Sequence, residues 1–172
     1  MAAAAVGFAA ATALSAYVRI PLPFSPVPLT LQTLFVLLAG VTLGASAGAA
    51  SQVLYLAAGA CGLPVFAGSA GLAGPTAGYL LAFPLAALIA GLLARRRTRT
   101  ALAVGLLGGT LCIYLLGSLW LALLSGGSLS AALAAGVLPF LPGDALKLAA
   151  VWSMAGLCRR AIGLAAGQRD TL

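Results

Sequence analysis

TAGYLLAFPLAALIAGLLARRRTRTALAVGLLGG, residues 76–109, places two apolar runs on either side of a short basic cluster. The first run, Thr76–Ala94, has no charged side chain and is long enough to cross a bilayer as a helix, which takes about 17–25 residues. A second apolar run, Ala101–Leu124, follows the arginines at once. Because short arginine-rich loops stay on the cytoplasmic side of a membrane, this stretch predicts two transmembrane helices joined in the cytoplasm.

The composition extends this prediction to the whole chain. Of 172 residues, 63% are hydrophobic and only 6% are charged, whereas soluble domains carry about 25% charged residues. The net charge of +7 does not indicate nucleic-acid binding, because seven of the eight arginines follow apolar runs in two groups, as the positive-inside rule explains. We therefore expect an integral membrane protein, surrounded by membrane lipid and with no nucleic-acid partner.

Six apolar segments are predicted to span the membrane. They are Ala2–Val18, Leu29–Leu43, Ala45–Leu63, Thr76–Ala94, Ala101–Leu124 and Pro142–Leu164. The sequence thus predicts an all-α fold, a single six-helix transmembrane domain over residues 1–172. An even number of spans, with basic segments after the fourth and the sixth, puts both termini in the cytoplasm. Arg19, at the outer end of the first span, is the one arginine that does not fit this topology.

The three connections on the outer side are longer than the cytoplasmic ones. Residues 19–30 contain four prolines, residues 64–78 are rich in glycine, and residues 125–144 form a long segment without obvious structure. Prolines favour a stiff, extended backbone. Such long loops are uncommon unless they are functional or disordered, although they can also be simple connections. We expect them to form a lidded site that faces outward.

FLPGDALKLA, residues 140–149, holds the only lysine of the chain and the only carboxylate side chain of the first 169 residues. Asp144 is predicted to lie in the first turn of the sixth span, with Lys147 on the same helix face. Charges inside a membrane usually face a cavity and mark a substrate path, but a structural ion pair is an equal alternative. The pair suits a ligand that offers both N–H donors and a carboxylate. The neighbours that could join it, each more often a packing residue, are Gln32, Thr33, Thr76, Tyr79, Phe24 and Phe66.

Motifs for catalysis and for ATP hydrolysis do not occur in the sequence. It has no histidine, no CxxC among its three cysteines, no GxSxG and no phosphate-binding loop. We therefore expect no metal and no cofactor, and an enzyme that uses Asp144 as acid or base is the weak alternative. Ala5, Ala9 and Ala13 form a small-residue stripe on the first span. Such a stripe serves close helix packing, either within the bundle or against another membrane protein.

Four segments together resemble the biotin-specific S components of energy-coupling factor (ECF) transporters, the BioY family. They are RIPLPFSPVPLTLQTLFVLLAG (19–40), GLPVFAG (62–68), GPTAGYLLAF (74–83) and LPGDALK (141–147), and the similarity extends from the first span to the sixth. The resemblance implies a six-helix subunit that binds biotin as its substrate from the outer side. It also implies that residues 19–28 form the lid and that Asp144 and Lys147 are the charged pair of the site.

The resemblance further implies partner proteins. These are a transmembrane coupling protein and two ATPases, and the stripe Ala5, Ala9 and Ala13, or a neighbouring register, would contact the coupling protein. Some family members are held to function without these subunits, as homo-oligomers. A stand-alone biotin transporter is therefore one alternative. An S component for another vitamin is a second alternative. Where the family usually has GPTGGY, this chain has Ala77 in GPTAGY, and the glycine-rich segment before it is short. The short segment implies fewer ligand contacts from that loop than the family usually has.

Overall fold

The computed structural model describes residues 1–68 and 70–167, and side chains as far as residue 155. This part of the chain forms seven α-helices and one small hairpin. In chain order they are α1 (Ala2–Ser15), β1 (Arg19–Ile20), β2 (Leu29–Thr30), α2 (Gln32–Leu43), α3 (Ala45–Ala60), α4 (Ala77–Ala94), α5 (Arg99–Ser125), α6 (Leu129–Gly136) and α7 (Leu141–Gly167), with 3-10 turns at Gly71–Ala73 and Leu138–Phe140. Each predicted span coincides with one helix, which confirms the all-α bundle.

A hairpin replaces helix at one of the predicted boundaries. The predicted second span begins at Leu29, whereas α2 begins at Gln32. Leu29 instead belongs to β2, which pairs antiparallel with β1 so that Arg19 faces Thr30. The prolines of this segment disfavour helix and favour extended backbone. The hairpin, residues 19–30, is called the lid below.

The expectation that the third outer connection has no structure of its own is wrong. Residues 129–136 form α6, and the Ser128 hydroxyl caps this helix by accepting a hydrogen bond of 3.2 Å from the Ala131 amide. The segment LSAALAAG consists largely of alanine and leucine, which are strong helix formers. A 3-10 turn at Leu138–Phe140 then leads directly into α7. An ordered path from α5 therefore sets the position at which α7 begins.

Glycine allows close contact where the helices cross. Helix α4 packs against α2, α3 and α5. A Cβ atom on Gly40 of α2 would lie 2.1 Å from the carbonyl oxygen of Ala87 on α4, and one on Gly91 would lie 2.5 Å from the backbone nitrogen of Ala45. Since lipid tails are as apolar as the side chains, helices in a membrane associate largely through such close packing. These glycines consequently hold α2 and α3 directly against the backbone of α4.

The helices differ in length across the bundle. By length and hydropathy, three described stretches can cross a membrane: Ala77–Ala94, Arg99–Ser125 and Leu129–Ala155. Helices α1 and α2 are apolar but have only 14 and 12 residues. At a rise of about 1.5 Å per residue, α2 is about 18 Å long, less than the hydrocarbon core of about 30 Å. The lid comes immediately before α2 in the chain. Its irregular backbone is tolerated because it lines a cavity.

The outward face of α5 has the character of a lipid-facing surface. Leu107, Leu111, Leu115 and Leu119, four residues apart, are each more than half exposed. Residues at this spacing lie on one side of a helix. A continuous row of exposed leucines is unfavourable in water, so it supports a membrane protein.

Candidate functional site

A cavity of about 50 Å³ lies next to the lid, at the end of the bundle away from the arginines that follow α4. Its wall is formed by the lid, the connection after α3, and helices α2, α4, α5 and α7. The lining residues are Val27, Pro28, Thr30, Gln32, Thr33, Ala67, Thr76, Tyr79, Leu80, Phe83, Ile113, Tyr114, Phe140, Asp144 and Lys147. Pockets that hold small organic ligands measure about 300–1,000 Å³. In this conformation the cavity is therefore too small for a ligand of that size.

A cluster of four polar side chains forms one side of the cavity. The Lys147 ammonium donates to Asp144 Oδ1 at 2.6 Å and to the Thr33 hydroxyl at 3.1 Å. The Thr33 hydroxyl donates to the same Oδ1 at 3.2 Å, and the Tyr114 hydroxyl donates to Oδ2 at 2.5 Å. Asp144 and Lys147 are only 5% and 7% exposed. The predicted charged pair is thus buried and held by residues from α2 and α5.

The start of α7 positions this pair. Asp144 lies in the first turn of α7 and Lys147 is three residues later, so both side chains project from the same face of the helix. Helix N-termini favour a negative charge, which stabilises the carboxylate. A Cβ atom on Gly143 would lie 3.2 Å from Leu29 Cδ1 of the lid. The lid therefore packs directly on the first turn that carries Asp144.

The cluster keeps hydrogen-bonding capacity for a ligand. An ammonium group has three N–H donors, and within the described chain Lys147 uses two of them, on Asp144 and Thr33. Asp144 Oδ2 accepts from Tyr114 alone among the described residues, although a carboxylate oxygen can accept two bonds. A buried ion pair adds little net stability because both charges lose their hydration. The arrangement can therefore offer one cationic donor and one anionic acceptor to a bound molecule.

The other predicted polar residues also reach the cavity, but two of them have structural partners. Gln32 Nε2 donates to the Tyr55 hydroxyl at 2.6 Å, and Gln32 Oε1 accepts from Thr30 at 3.2 Å. The Tyr79 hydroxyl donates to the carbonyl of Gly136 at 2.9 Å, which ties α4 to α6. Thr76 lines the cavity and caps no backbone amide of α4. Gln32 and Tyr79 consequently shape the wall while their polar groups hold neighbouring elements.

The aromatic predictions are placed differently. Phe24 is 65% exposed at the tip of the lid and does not line the cavity. Phe66 packs edge-on against Tyr55, with ring centroids 5.5 Å apart, and supports the wall from behind. Phe83 and Phe140, which the sequence analysis does not single out, are the phenylalanines that line the cavity. They give the cavity part of its apolar wall.

Tyr114 is the functional candidate that the sequence analysis misses. It lies 30 residues from its partner Asp144, in the middle of an apolar helix. The available signal was its position as the lone tyrosine of α5. A single aromatic residue in a membrane helix is usually a packing residue, so this signal is weak.

Two hydrogen bonds join the start of the lid to the connection after α3. The Tyr17 hydroxyl donates to the carbonyl of Pro64 at 2.5 Å, and the Arg19 guanidinium donates to the carbonyl of Ala67. Both acceptors belong to the connection after α3, and Ala67 also lines the cavity. Arg19 departs from the charge pattern of the other arginines, and the structure gives its side chain a specific partner at the edge of the lid.

The small-residue stripe of α1 faces the bundle. Ala5 is buried, and Ala9 and Ala13 are half-buried against the core. The outward face of the same helix carries Ala3, Gly7 and Ala10, which are exposed, together with the larger exposed side chains of Val6 and Leu14. The structure therefore favours the packing interpretation for the predicted stripe and offers a second small-residue face one register away.

No group of three or more metal-ligating side chains (His, Cys, Asp or Glu) occurs in the described part of the chain.

The chain matches known proteins over most of its length. A sequence model of the BioY family matches residues 1–163. The "Probable biotin transporter BioY" of Pyrococcus horikoshii is 44% identical over 146 residues, which cover 83% of this chain and 85% of that protein. The "Biotin transporter BioY" of Rhodobacter capsulatus is 42% identical over 146 residues, covering 75% and 76%. Among solved structures, the S-component for biotin from an ECF-type ABC transporter matches with a TM-score of 0.81 and 26% identity, over 94% of this chain and 89% of that chain.

Proposed function

This chain belongs to the BioY family, and from that premise we propose that it is a biotin-binding S component that captures its substrate at the outer face of the membrane. The observation that carries the proposal is the buried cluster of Asp144, Lys147, Thr33 and Tyr114 on the wall of an otherwise apolar cavity. The proposed activity is binding and release, without covalent chemistry.

The chemistry of biotin complements this cluster. Its ureido ring offers two N–H donors and a carbonyl acceptor, and its valerate chain ends in a carboxylate. Asp144 accepts from N–H groups, and Lys147 retains a cationic donor for a carbonyl or a carboxylate. Phe83 and Phe140 provide apolar surface for the fused rings and the aliphatic chain. A ligand that carried only one of these features would use only part of the hydrogen-bonding capacity that Asp144 and Lys147 keep free.

Entry of biotin requires the lid to move, because the closed cavity of about 50 Å³ is far smaller than a small-molecule pocket. The contacts that must break are those between the lid edge and the connection after α3, made by Tyr17 and Arg19. Their acceptors are backbone carbonyls, which can turn to water once the lid opens. We expect lid closure over biotin to restore them.

Transport requires partner chains under this proposal, since the sequence has no phosphate-binding loop. The partners are a transmembrane coupling protein and two ATPases in the bacterial plasma membrane, with both termini of this chain in the cytoplasm. The exposed face of α1, with Ala3, Gly7 and Ala10, is the better docking surface for the coupling protein. Small residues allow the close helix approach that such docking needs.

The first test is calorimetric titration of biotin into the detergent-purified protein. Truncating one partner of a buried charge pair at a binding site costs about 2–5 kcal/mol, so Asp144→Asn and Lys147→Ala are each expected to weaken binding by at least about 30-fold. Thr33→Val removes a hydroxyl of the cluster and is expected to weaken binding, whereas Thr42→Val removes a hydroxyl bonded to its own helix and serves as the matched control.

Each other outcome of these titrations has a distinct meaning. Absence of biotin binding by the wild-type protein would contradict the proposal. Unchanged affinity in both charge variants would make the pair structural and place the site elsewhere. Binding of thiamine or riboflavin in competition with biotin would indicate an S component for another vitamin. Biotin uptake in cells that lack the coupling protein and the ATPases would instead indicate a stand-alone transporter, whose oligomeric state then becomes the next measurement.

A further inference from the structure

A groove between α5 and α7 lies on the cytoplasmic half of the bundle. Its cytoplasmic end has a volume of about 360 Å³ and is lined by residues that include Arg97, Thr98, Arg99, Leu102 and Trp152. An apolar section of about 430 Å³ shares Trp152 with it and is lined by Leu106, Leu107, Leu148 and Ala149 among others. The two sections meet at Trp152, so the groove changes from basic to apolar along its length.

The direction of the groove follows from helix geometry. On α5 the lining residues recur at intervals of three and four, from Arg99 to Leu107, so they lie on a single face. At about 1.5 Å per residue this stretch is about 12 Å long. One leaflet contributes about half of the 30 Å hydrocarbon core. The groove therefore runs from the cytoplasmic interface through most of the depth of one leaflet.

The positive charge at the cytoplasmic end of the groove favours binding of an anion. Arg97 and Arg99 are exposed, and Asp144, the only carboxylate side chain whose contacts the structure describes, pairs with Lys147 at the outer end of the bundle. Guanidinium groups bind phosphate with two parallel hydrogen bonds. Trp152 lies at the boundary between the sections, as tryptophan does at membrane interfaces.

We infer that this groove binds an anionic phospholipid, with the phosphate of its headgroup at Arg97 and Arg99 and one acyl chain along the apolar section. The charge selects the headgroup, and the length of the groove suits a chain that enters the leaflet. Lys147 and Ala149 project from opposite sides of α7, since two residues correspond to a rotation of about 200°. The lipid groove and the biotin site are therefore separate, and this inference does not depend on the proposed function.

The test is native mass spectrometry of the delipidated full-length protein, offered an equimolar mixture of dioleoyl phosphatidylglycerol and dioleoyl phosphatidylcholine. We expect phosphatidylglycerol adducts to dominate. Arg99→Gln is expected to lower this binding about fivefold, the contribution of one basic residue at an anionic surface. Arg96→Gln removes the same charge from a residue outside the groove and is expected to change it less than twofold.

A second variant tests the apolar section with all arginines intact. Ala149→Phe fills that section and is expected to lower phosphatidylglycerol binding at least fivefold. If this variant does not fold, Leu107→Ser tests the same section at an exposed position. Melting temperatures identify variants that are folded.

Five results would overturn the inference. Equal losses in Arg96→Gln and Arg99→Gln indicate diffuse surface electrostatics. Unchanged binding in the apolar-section variants, or displacement of the lipid by millimolar inorganic phosphate, indicates an anion site without a lipid chain. Equal adducts of the two lipids exclude headgroup selection, and a dimer without lipid assigns the groove to a second copy of this chain.

Discussion

The hydroxyl of Tyr114 is a sensitive point for testing the buried cluster. It donates to Asp144 Oδ2 at 2.5 Å, while Thr33 and Lys147 both bond to Oδ1. Tyr114→Phe removes this oxygen and leaves Oδ2 without a partner in the described part of the chain. An unsatisfied buried polar group costs about 1–3 kcal/mol, and more when it is charged. We expect the free energy of unfolding to fall by about 2–3 kcal/mol, which lowers the melting temperature by about 4–12 °C at this chain length.

The assay is thermal unfolding of the purified protein in detergent, followed by tryptophan fluorescence. Tyr17→Phe is the matched control, because Tyr17 is exposed and its hydroxyl bonds to a loop carbonyl. Saturating biotin is expected to restore part of the stability lost in Tyr114→Phe, since its N–H donors can reach the same carboxylate oxygen. A melting temperature in Tyr114→Phe no lower than in Tyr17→Phe would refute the reasoning that Oδ2 depends on this hydroxyl.

Three further predictions concern packing, the lid and the topology. Gly40→Ala is expected to destabilise the protein by about 1–3 kcal/mol through overpacking, because its Cβ atom would meet a backbone carbonyl at 2.1 Å. Gly7→Ala, where nothing lies within 4 Å of the new Cβ atom, is its control in thermal unfolding, and equal losses would contradict the packing argument. Phe24→Ala is expected to leave the calorimetric biotin affinity within twofold because the side chain is exposed, and a tenfold loss would show that the lid tip folds onto the ligand. In a variant without the other two cysteines, exposed Cys61 is expected to react with a membrane-impermeant maleimide added to intact cells, and labelling only after lysis would invert the proposed topology.

The position of the charged pair could be predicted from the sequence, but its surroundings could not. Asp144 and Lys147 stand out because the rest of the chain has almost no charge, and their spacing of three residues places them on one helix face. Their partner Thr33 lies 111 residues from Asp144, and Tyr114 lies 30 residues away. Neither distance along the chain carries information about contact in space. Phe24 and Phe140 show the same limit for aromatic residues, because exposure and burial distinguish them only in the folded bundle.

The sequence by itself determined the membrane location, the order of the six apolar spans, and the charged pair at the start of α7. These properties depend on hydropathy, charge and helical periodicity, which act over windows of about 20 residues. Tertiary structure alone decided that the Ala5 face of α1 turns inward and that α5 and α7 leave a groove between them. These features depend on the rotation and crossing of each helix, which are set where glycines such as Gly40 and Gly91 allow backbones to touch. Such contacts join residues far apart in the chain, so no local pattern in the sequence specifies them.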